Sequence, residues 1–269
     1  MDIQPNNSTN TAWYNHLRYK NPFERKDSFM NHSHNFYEIL YFEHGDITYG
    51  VENREYKLKK HDLIFTRPLT YHYLELNSNA EYERHNIAFY ANFVNAEFLE
   101  KISLDTEVIH CPPGSIIAQN FERIKYYKEH LDEEEFQKIL SGLLQEILLN
   151  LRHSNNLLGN FSSSSPILEK ALEYINENLF TIKSISEISN VLFITESYFF
   201  KLFKEQLKIS PKKYINTKRI LHAQKLIQCG QRPTDVYEQC GFESYVGFYK
   251  QYVKAFGISP SEEKRAEKI

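Results

Sequence analysis

From Phe199 to Pro211 the apolar side chains fall at helical spacing, Phe199, Phe203 and Leu207, and the same phrase returns 49 positions later as Phe248, Tyr252 and Phe256. Lys201 recurs as Lys250, and Ile209-Ser210-Pro211 as Ile258-Ser259-Pro260. Recurrence at i, i+4 and i+8 predicts a helix with one buried stripe. Ser before Pro is pushed out of the helical region, so each helix is expected to stop there. Ahead of the first copy, Ser184-Ile185-Ser186-Glu187 is a capping box that opens a short helix running to about Val191. Phe193-Ile194-Thr195 then turns the chain, with Thr195 as the next cap. Ahead of the second copy, Pro233-Thr234-Asp235 opens a short helix and Cys240-Gly241-Phe242 turns it. Short helix, tight turn, longer helix is the plan of a helix-turn-helix unit. Two copies are too few for a solenoid. They predict one small module duplicated, its halves joined by a long helix over Pro211 to Gln228 that buries Tyr214, Ile215, Ile220, Ala223, Leu226 and Ile227.

The first half of the chain has a different period. From Asn31 to Phe93, short apolar runs at Phe36 to Phe42, Leu63 to Phe65, Tyr71 to Leu76 and His85 to Tyr90 alternate with turn-like segments such as Glu43-His44-Gly45-Asp46. Evenly spaced short strands predict a small jelly roll or barrel. Two amphipathic helices follow, Ser115 to Leu131 and Asp132 to Arg152. The stripe Leu140, Leu144, Ile147, Leu148 and Leu151 on the second is wide enough to cover a core face and serve a partner helix, so it is expected to form a homodimer contact. A polar, Ser-rich stretch ending at Pro166 reads as a linker. The predicted fold is therefore α+β in two domains: a β-barrel with two dimerisation helices over 1–155, a linker over 156–166, and an all-α domain with two helix-turn-helix units over 167–269.

Composition changes this picture little, but charge does. The 269 residues are 41% hydrophobic and 25% charged, as in soluble globular proteins. No run approaches transmembrane length and Met1 to Lys20 has no apolar signal core, so a cytoplasmic protein without membrane contact is expected. Cys111, Cys229 and Cys240 are too few and scattered for a disulfide framework or a zinc finger, and read as ordinary buried side chains. The net charge is −3, but from Pro166 onward the chain carries 16 Lys and Arg against 12 Asp and Glu, net +4, leaving 16 against 23, net −7, for the rest. The positive share lies on the duplicated module, and phosphate contacts made there are expected to be salt-sensitive.

The stretch from roughly Pro166 to Ala266 resembles the DNA-binding domain of the AraC/XylS family of transcription regulators. The likeness is carried by Tyr198-Phe199, Lys201-Leu202-Phe203-Lys204, Ile209-Ser210-Pro211, Tyr214, Arg219, Ala223, Leu226-Ile227, Gly241-Phe242, Phe248, Lys250, Tyr252, Lys254 and Gly257-Ile258-Ser259-Pro260. It departs from the family pattern at Lys208, where Gly is usual, at Tyr237, where Ala is usual, and at Lys201 and Lys250, where Arg is more usual. Lys lacks the guanidinium fork, so guanine readout there should be weaker. The resemblance implies two recognition helices entering successive major grooves of double-stranded promoter DNA about 34 Å apart. With Phe199, Leu202 and Phe203 in the core, Ser197, Phe200, Lys201 and Lys204 face outward on the first. Tyr245, Val246, Tyr249 and Lys250 do so on the second. It also implies an activator, with RNA polymerase as a further partner.

His32-Ser33-His34, then Glu38, then Gly45 resembles the first cupin motif, and Asp62 to His72 resembles a decayed second one without its glycines or closing Asn. If His32 and His34 lie on a strand they share a face with Glu38. The expectation is that His32, His34, Glu38, Arg67 and His72 line one pocket in the barrel and bind a small effector, with a sugar or polyol as first candidate, and that no metal or other cofactor is held. The competing class is a metal-dependent cupin enzyme, which would account for His32, His34, Glu38 and His72 but not for the duplicated modules. A non-DNA adaptor is a third class, but it would carry acidic recognition helices. Here those helices carry Lys201, Lys204, Lys250 and Lys254.

Overall fold

A computed structural model of the protein describes residues 11–24, 31–100, 102, 107–153, 162–163, 165–207 and 209–266. The chain divides into two compact units, one built mainly on Phe36–Ser162 and the other on Ser163–Ile269, with the short segment Ser33–Asn35 grouped with the second. Most of the expected linker, and Lys208, lie outside the described residues.

The first unit is two antiparallel sheets and a helical layer. One sheet has the order β1-β7-β2-β5-β8, built from Ala12–Tyr19, Tyr82–Phe89, Tyr37–His44, Asp62–Thr66 and Val108–His110. The other has the order β6-β3-β4-β9, from His72–Leu76, Ile47–Val51, Arg54–Lys57 and Ser162–Ser163. Alternation along each strand sorts the side chains. Leu40, Phe42, Ile64 and Tyr82 of the first sheet meet Ile47, Tyr49, Val51, Tyr56 and Leu74 of the second in one core. The opposite face of the five-stranded sheet, with Ile39, Tyr41, Leu63, Phe65, Ile87 and Phe89, is covered by helices. Among the described residues the strands form two separate antiparallel ladders packed face to face. β1 and β8 were not anticipated: Trp13 to Arg18 mixes polar and aromatic residues, and β8 is three residues long.

The covering layer consists of α1 (Ala96–Glu100), α2 (Ile116–His130) and α3 (Glu133–His153). α2 starts where Ser115 accepts a hydrogen bond from the Ala118 amide. The Leu stripe of α3 is placed differently. Leu140, Leu144, Ile147 and Leu148 are 0% exposed and Leu151 is 1% exposed, all inside the sheet-facing core. These five side chains are therefore corrected from dimer contact to core. The five-stranded sheet presents a whole apolar face, and covering it consumes the stripe within the unit.

The second unit is all helix: α4 (Pro166–Asn178), α5 (Ile185–Val191), α6 (Glu196–Gln206), α7 (Pro211–Gln228), α8 (Pro233–Gln239), α9 (Tyr245–Phe256) and α10 (Pro260–Ala266). The Ser-Pro pairs do more than end helices. Ser210 caps α7 and Pro211 is its first residue, and Pro260 likewise begins α10. The Ser259 hydroxyl accepts from the Glu262 amide while Glu262 accepts from the Ser259 amide, a capping box that the sequence carried unread. The repeat is thus three helices, α5-α6-α7 and α8-α9-α10, with α7 shared as central helix. Buried residues surround α7 on most sides, from Tyr214 and Lys218 to Gln224 and Ile227. Among the described residues, no helix is long and apolar enough to cross a membrane.

Candidate functional site

Each recognition helix is set by a capped turn. The Thr195 hydroxyl accepts from the Tyr198 amide at 3.2 Å to start α6, and Ser244 accepts from the Gly247 amide at 3.2 Å to start α9. The turn before α9 needs a left-handed residue, and Gly241 supplies it at φ 74. A Cβ there would lie 2.4 Å from the Phe180 carbonyl oxygen. The matching turn before α6 places Phe193 at φ 55 with its side chain 96% exposed, a bulky residue in a conformation glycine prefers.

One buried cation ties the frame together. Arg219 of α7 donates from Nε to Leu179 O at 2.8 Å, from Nη2 to Ile182 O at 2.7 Å and from Nη1 to Gly241 O at 2.9 Å. Those carbonyls belong to the end of α4, the entry to α5 and the turn before α9. At the other end Glu263, 1% exposed, accepts from Gln224 Nε2 at 2.8 Å and Gln228 Nε2 at 2.7 Å and is bonded by the Tyr252 hydroxyl. The repeat puts Phe203 against Tyr214 as a ring pair 5.6 Å apart where the second copy has Tyr252 on Glu263.

Within that frame Phe199, Leu202 and Phe203 are buried and Ser197, Phe200, Lys201 and Lys204 are exposed. On α9, Val246 is 63% exposed, and Tyr249 and Lys250 are also exposed. Tyr245 is half-buried, its ring 5.8 Å from both Tyr237 and Phe248, because Tyr237 sits where it can lean on it. Lys201 Nζ lies 3.8 Å from Glu205, an exposed pair one turn along. Of the cysteines, Cys111 and Cys240 are buried as expected, whereas Cys229 is exposed.

In the first unit a polar group lies among the apolar side chains between the sheets. Glu38 is 8% exposed; one oxygen accepts from Asn86 Nδ2 at 2.7 Å and the other lies 3.1 Å from His72 Nε2. Tyr49 and Thr66 hydroxyls meet at 3.4 Å. Burial pushes the Tyr49 phenol well above its ordinary range and the Tyr82 phenol up to about 12, so both stay protonated. His32 is not on a strand. It forms an isolated bridge with His72, with backbone bonds of 3.0 and 2.9 Å and ring centroids 4.3 Å apart. His34 follows in a loop, so strand parity does not apply to these two. His32 and His72 thus pair within the first unit, whereas His34 belongs to the segment grouped with the second. Arg67 is placed elsewhere. Its guanidinium stacks on the Phe65 ring, 5.0 Å from the centroid, and Phe65 belongs to the helix-side core. Arg84 lies on the inter-sheet face, opposite Phe42, with its guanidinium 5.9 Å from the Tyr82 ring. Sequence reading missed Arg84 and Asn86; the alternating pattern of β7, Tyr82-Glu83-Arg84-His85-Asn86, was the signal available.

Residues 188–266 match a family model described as a helix-turn-helix domain. Residues 23–161, more than half of the chain, match the one described as an AraC-like ligand binding domain. The chain belongs to the AraC/XylS family. Among its relatives is a Photobacterium leiognathi protein named "Probable transcriptional regulator LumQ", 31% identical over 50% of this chain and 53% of that protein. The Lactose operon transcription activator of Staphylococcus xylosus is 34% identical over 35% of this chain and 34% of that protein. The HTH-type transcriptional activator RhaR of Escherichia coli O1:K1 is 21% identical over 88% of this chain and 87% of RhaR. The chain thus spans about half, or less, of the first two.

Proposed function

We propose that this AraC/XylS member is a cytoplasmic, ligand-responsive transcription activator, not an enzyme. It binds promoter DNA through α6 and α9 and a small effector between the sheets of the first unit. The observation that carries the reading is the pair of matched helix-turn-helix units, each presenting an outward Lys at the same repeat position, Lys201 and Lys250, on a helix whose other face is core. A relative named for a lactose operon supports a sugar-like effector. Lys201→Ala is expected to weaken binding by about 1–3 kcal/mol with the fold intact, because an exposed recognition-helix cation serves DNA and not the core. Lys250→Ala should cost less and be less sequence-selective, since Val246 and Tyr249 beside it offer shape rather than polar readout. Fluorescence anisotropy on a duplex selected from a random library reads both. Wild-type affinity in Lys201→Ala would remove α6 as a recognition helix.

The reading includes a homodimer, with a different surface from the stripe first expected. α2 turns Ile116, Gln119, Arg123, Tyr126 and His130 outward, and α3 turns Ile139, Gly142, Glu146, Leu149 and His153 outward or toward its rim, each at alternating spacings of three and four. Ile116, Tyr126, Ile139 and Leu149 are 49%, 57%, 38% and 39% exposed. Spacing of that kind suits a seam with a second copy. Ile139→Glu with Leu149→Glu should give a folded monomer by sedimentation. An unchanged species would place the contact elsewhere.

The enzyme alternative rests on the pairing of His32 with His72 beside Glu38. Metal analysis of protein purified without chelator separates the two: the regulator reading expects sub-stoichiometric metal, and a full equivalent would revive the alternative.

A further inference from the structure

Arg84 lies buried on the inter-sheet face of the first unit, where the Tyr82 phenol and the Glu38 carboxylate favour its charge. Arg84 pairs across the ladders with Phe42 and Leu17, and Phe42 belongs to the inter-sheet core, so Arg84 faces the second sheet. Among the described residues no carboxylate forms an ion pair with Arg84; its guanidinium lies 5.9 Å from the Tyr82 ring, and its buried Nε has no hydrogen-bond acceptor. The nearby carboxylate, Glu38, is already engaged by Asn86 and His72. Two residues along β7, Asn86 is 6% exposed and its Oδ1 accepts nothing; directly across the ladder, Asn15 Oδ1 is also buried without a donor. A charged donor and two amide acceptors thus share one patch of one sheet face. Unpartnered polar atoms in such a place are costly unless a ligand completes them.

Resting on the reading of this unit as an effector sensor, we propose that Arg84, Asn86 and Asn15 form its recognition subsite, and that the effector is a small hydroxylated carboxylic acid of the sugar-acid type. The guanidinium fork takes the carboxylate in two parallel bonds, and hydroxyls of the same molecule donate to the two amide oxygens. A neutral sugar supplies the hydroxyls but brings no carboxylate into contact with the guanidinium. A purely apolar acid does the reverse.

The test is a thermal-shift series on the full chain with D-glucuronate and D-gluconate against D-glucose and D-glucitol, at matched concentration and ionic strength. The acids should raise the wild-type melting temperature and the neutral compounds should not. Arg84→Met should weaken acid binding about 10- to 100-fold, the range for loss of a charge-assisted hydrogen bond, and Arg84→Lys should weaken it less. Native near-ultraviolet dichroism and a cooperative melt of unliganded Arg84→Met would show that its first unit is folded. The inference is overturned if neutral compounds stabilise wild type equally, if Arg84→Met keeps the response, or if neither acid shifts wild type. Absence of sequence-selective DNA binding by wild type would instead sink the regulator reading, and the two failures are read on separate assays.

Discussion

Gly241→Ala is expected to abolish specific DNA binding and to destabilise the helical unit by about 3–5 kcal/mol, the upper range for single substitutions. Two costs combine. A residue with a Cβ at φ 74 bears a left-handed strain of about 1–2 kcal/mol. The new methyl would also stand 2.4 Å from the Phe180 carbonyl oxygen and 3.0 Å from the Arg219 guanidinium carbon, so backbone must shift. Arg219 cannot yield without loosening its three bonds to Leu179, Ile182 and Gly241, the first two of which are buried. Gly230→Ala is the control: Gly230 is also left-handed, at φ 86, but nothing lies within 4 Å of its added Cβ, so only the strain applies. Urea melts followed by circular dichroism, with anisotropy on the operator, should separate the two variants clearly. Equal losses would mean that crowding at Phe180 contributes nothing.

Leu144→Glu together with Leu148→Glu should unfold the first unit rather than release a folded monomer. Both side chains are 0% exposed within the core between α3 and the five-stranded sheet. A carboxylate there has no partner and must either be protonated or drag the helix off the sheet, and each lost Leu costs about 2–5 kcal/mol in packing alone. The measurement is the near-ultraviolet dichroism of the Tyr and Phe residues of this core, such as Tyr41 stacked on Phe121 at 4.6 Å. A native signal from a monomeric double mutant would show that the stripe was an interface after all. Set beside Ile139→Glu with Leu149→Glu, which should remain folded, the pair tells core from seam on one helix.

The helical half was legible because its information is local. Spacing of Phe199, Phe203 and Leu207 and caps at Ser184 and Thr195 each act within one or two turns, where periodicity and capping have fixed geometry, and the 49-residue repeat states them twice. The outward positions of α6 followed directly. Where local reading stopped one step short, as with Ser259-Pro260, the missing partner was three residues further on at Glu262.

What the amino-acid order determined by itself, then, was the duplicated helix-turn-helix plan, the β texture ahead of it and the family. Only the tertiary structure decided which polar residues of the first unit meet. Strand alternation assigns a residue to one of two faces but does not say which face is core, and loops such as the one holding His34 obey no alternation. So Arg67 and Arg84 were indistinguishable as chemistry until the register of β2 and β7 put Arg84 opposite Phe42, while Arg67 stacked on Phe65 beneath the helices. The same holds for α3, whose apolar stripe fits a sheet or a partner equally well in sequence. Its destination was set by the large apolar face of the five-stranded sheet, which this helix layer covers.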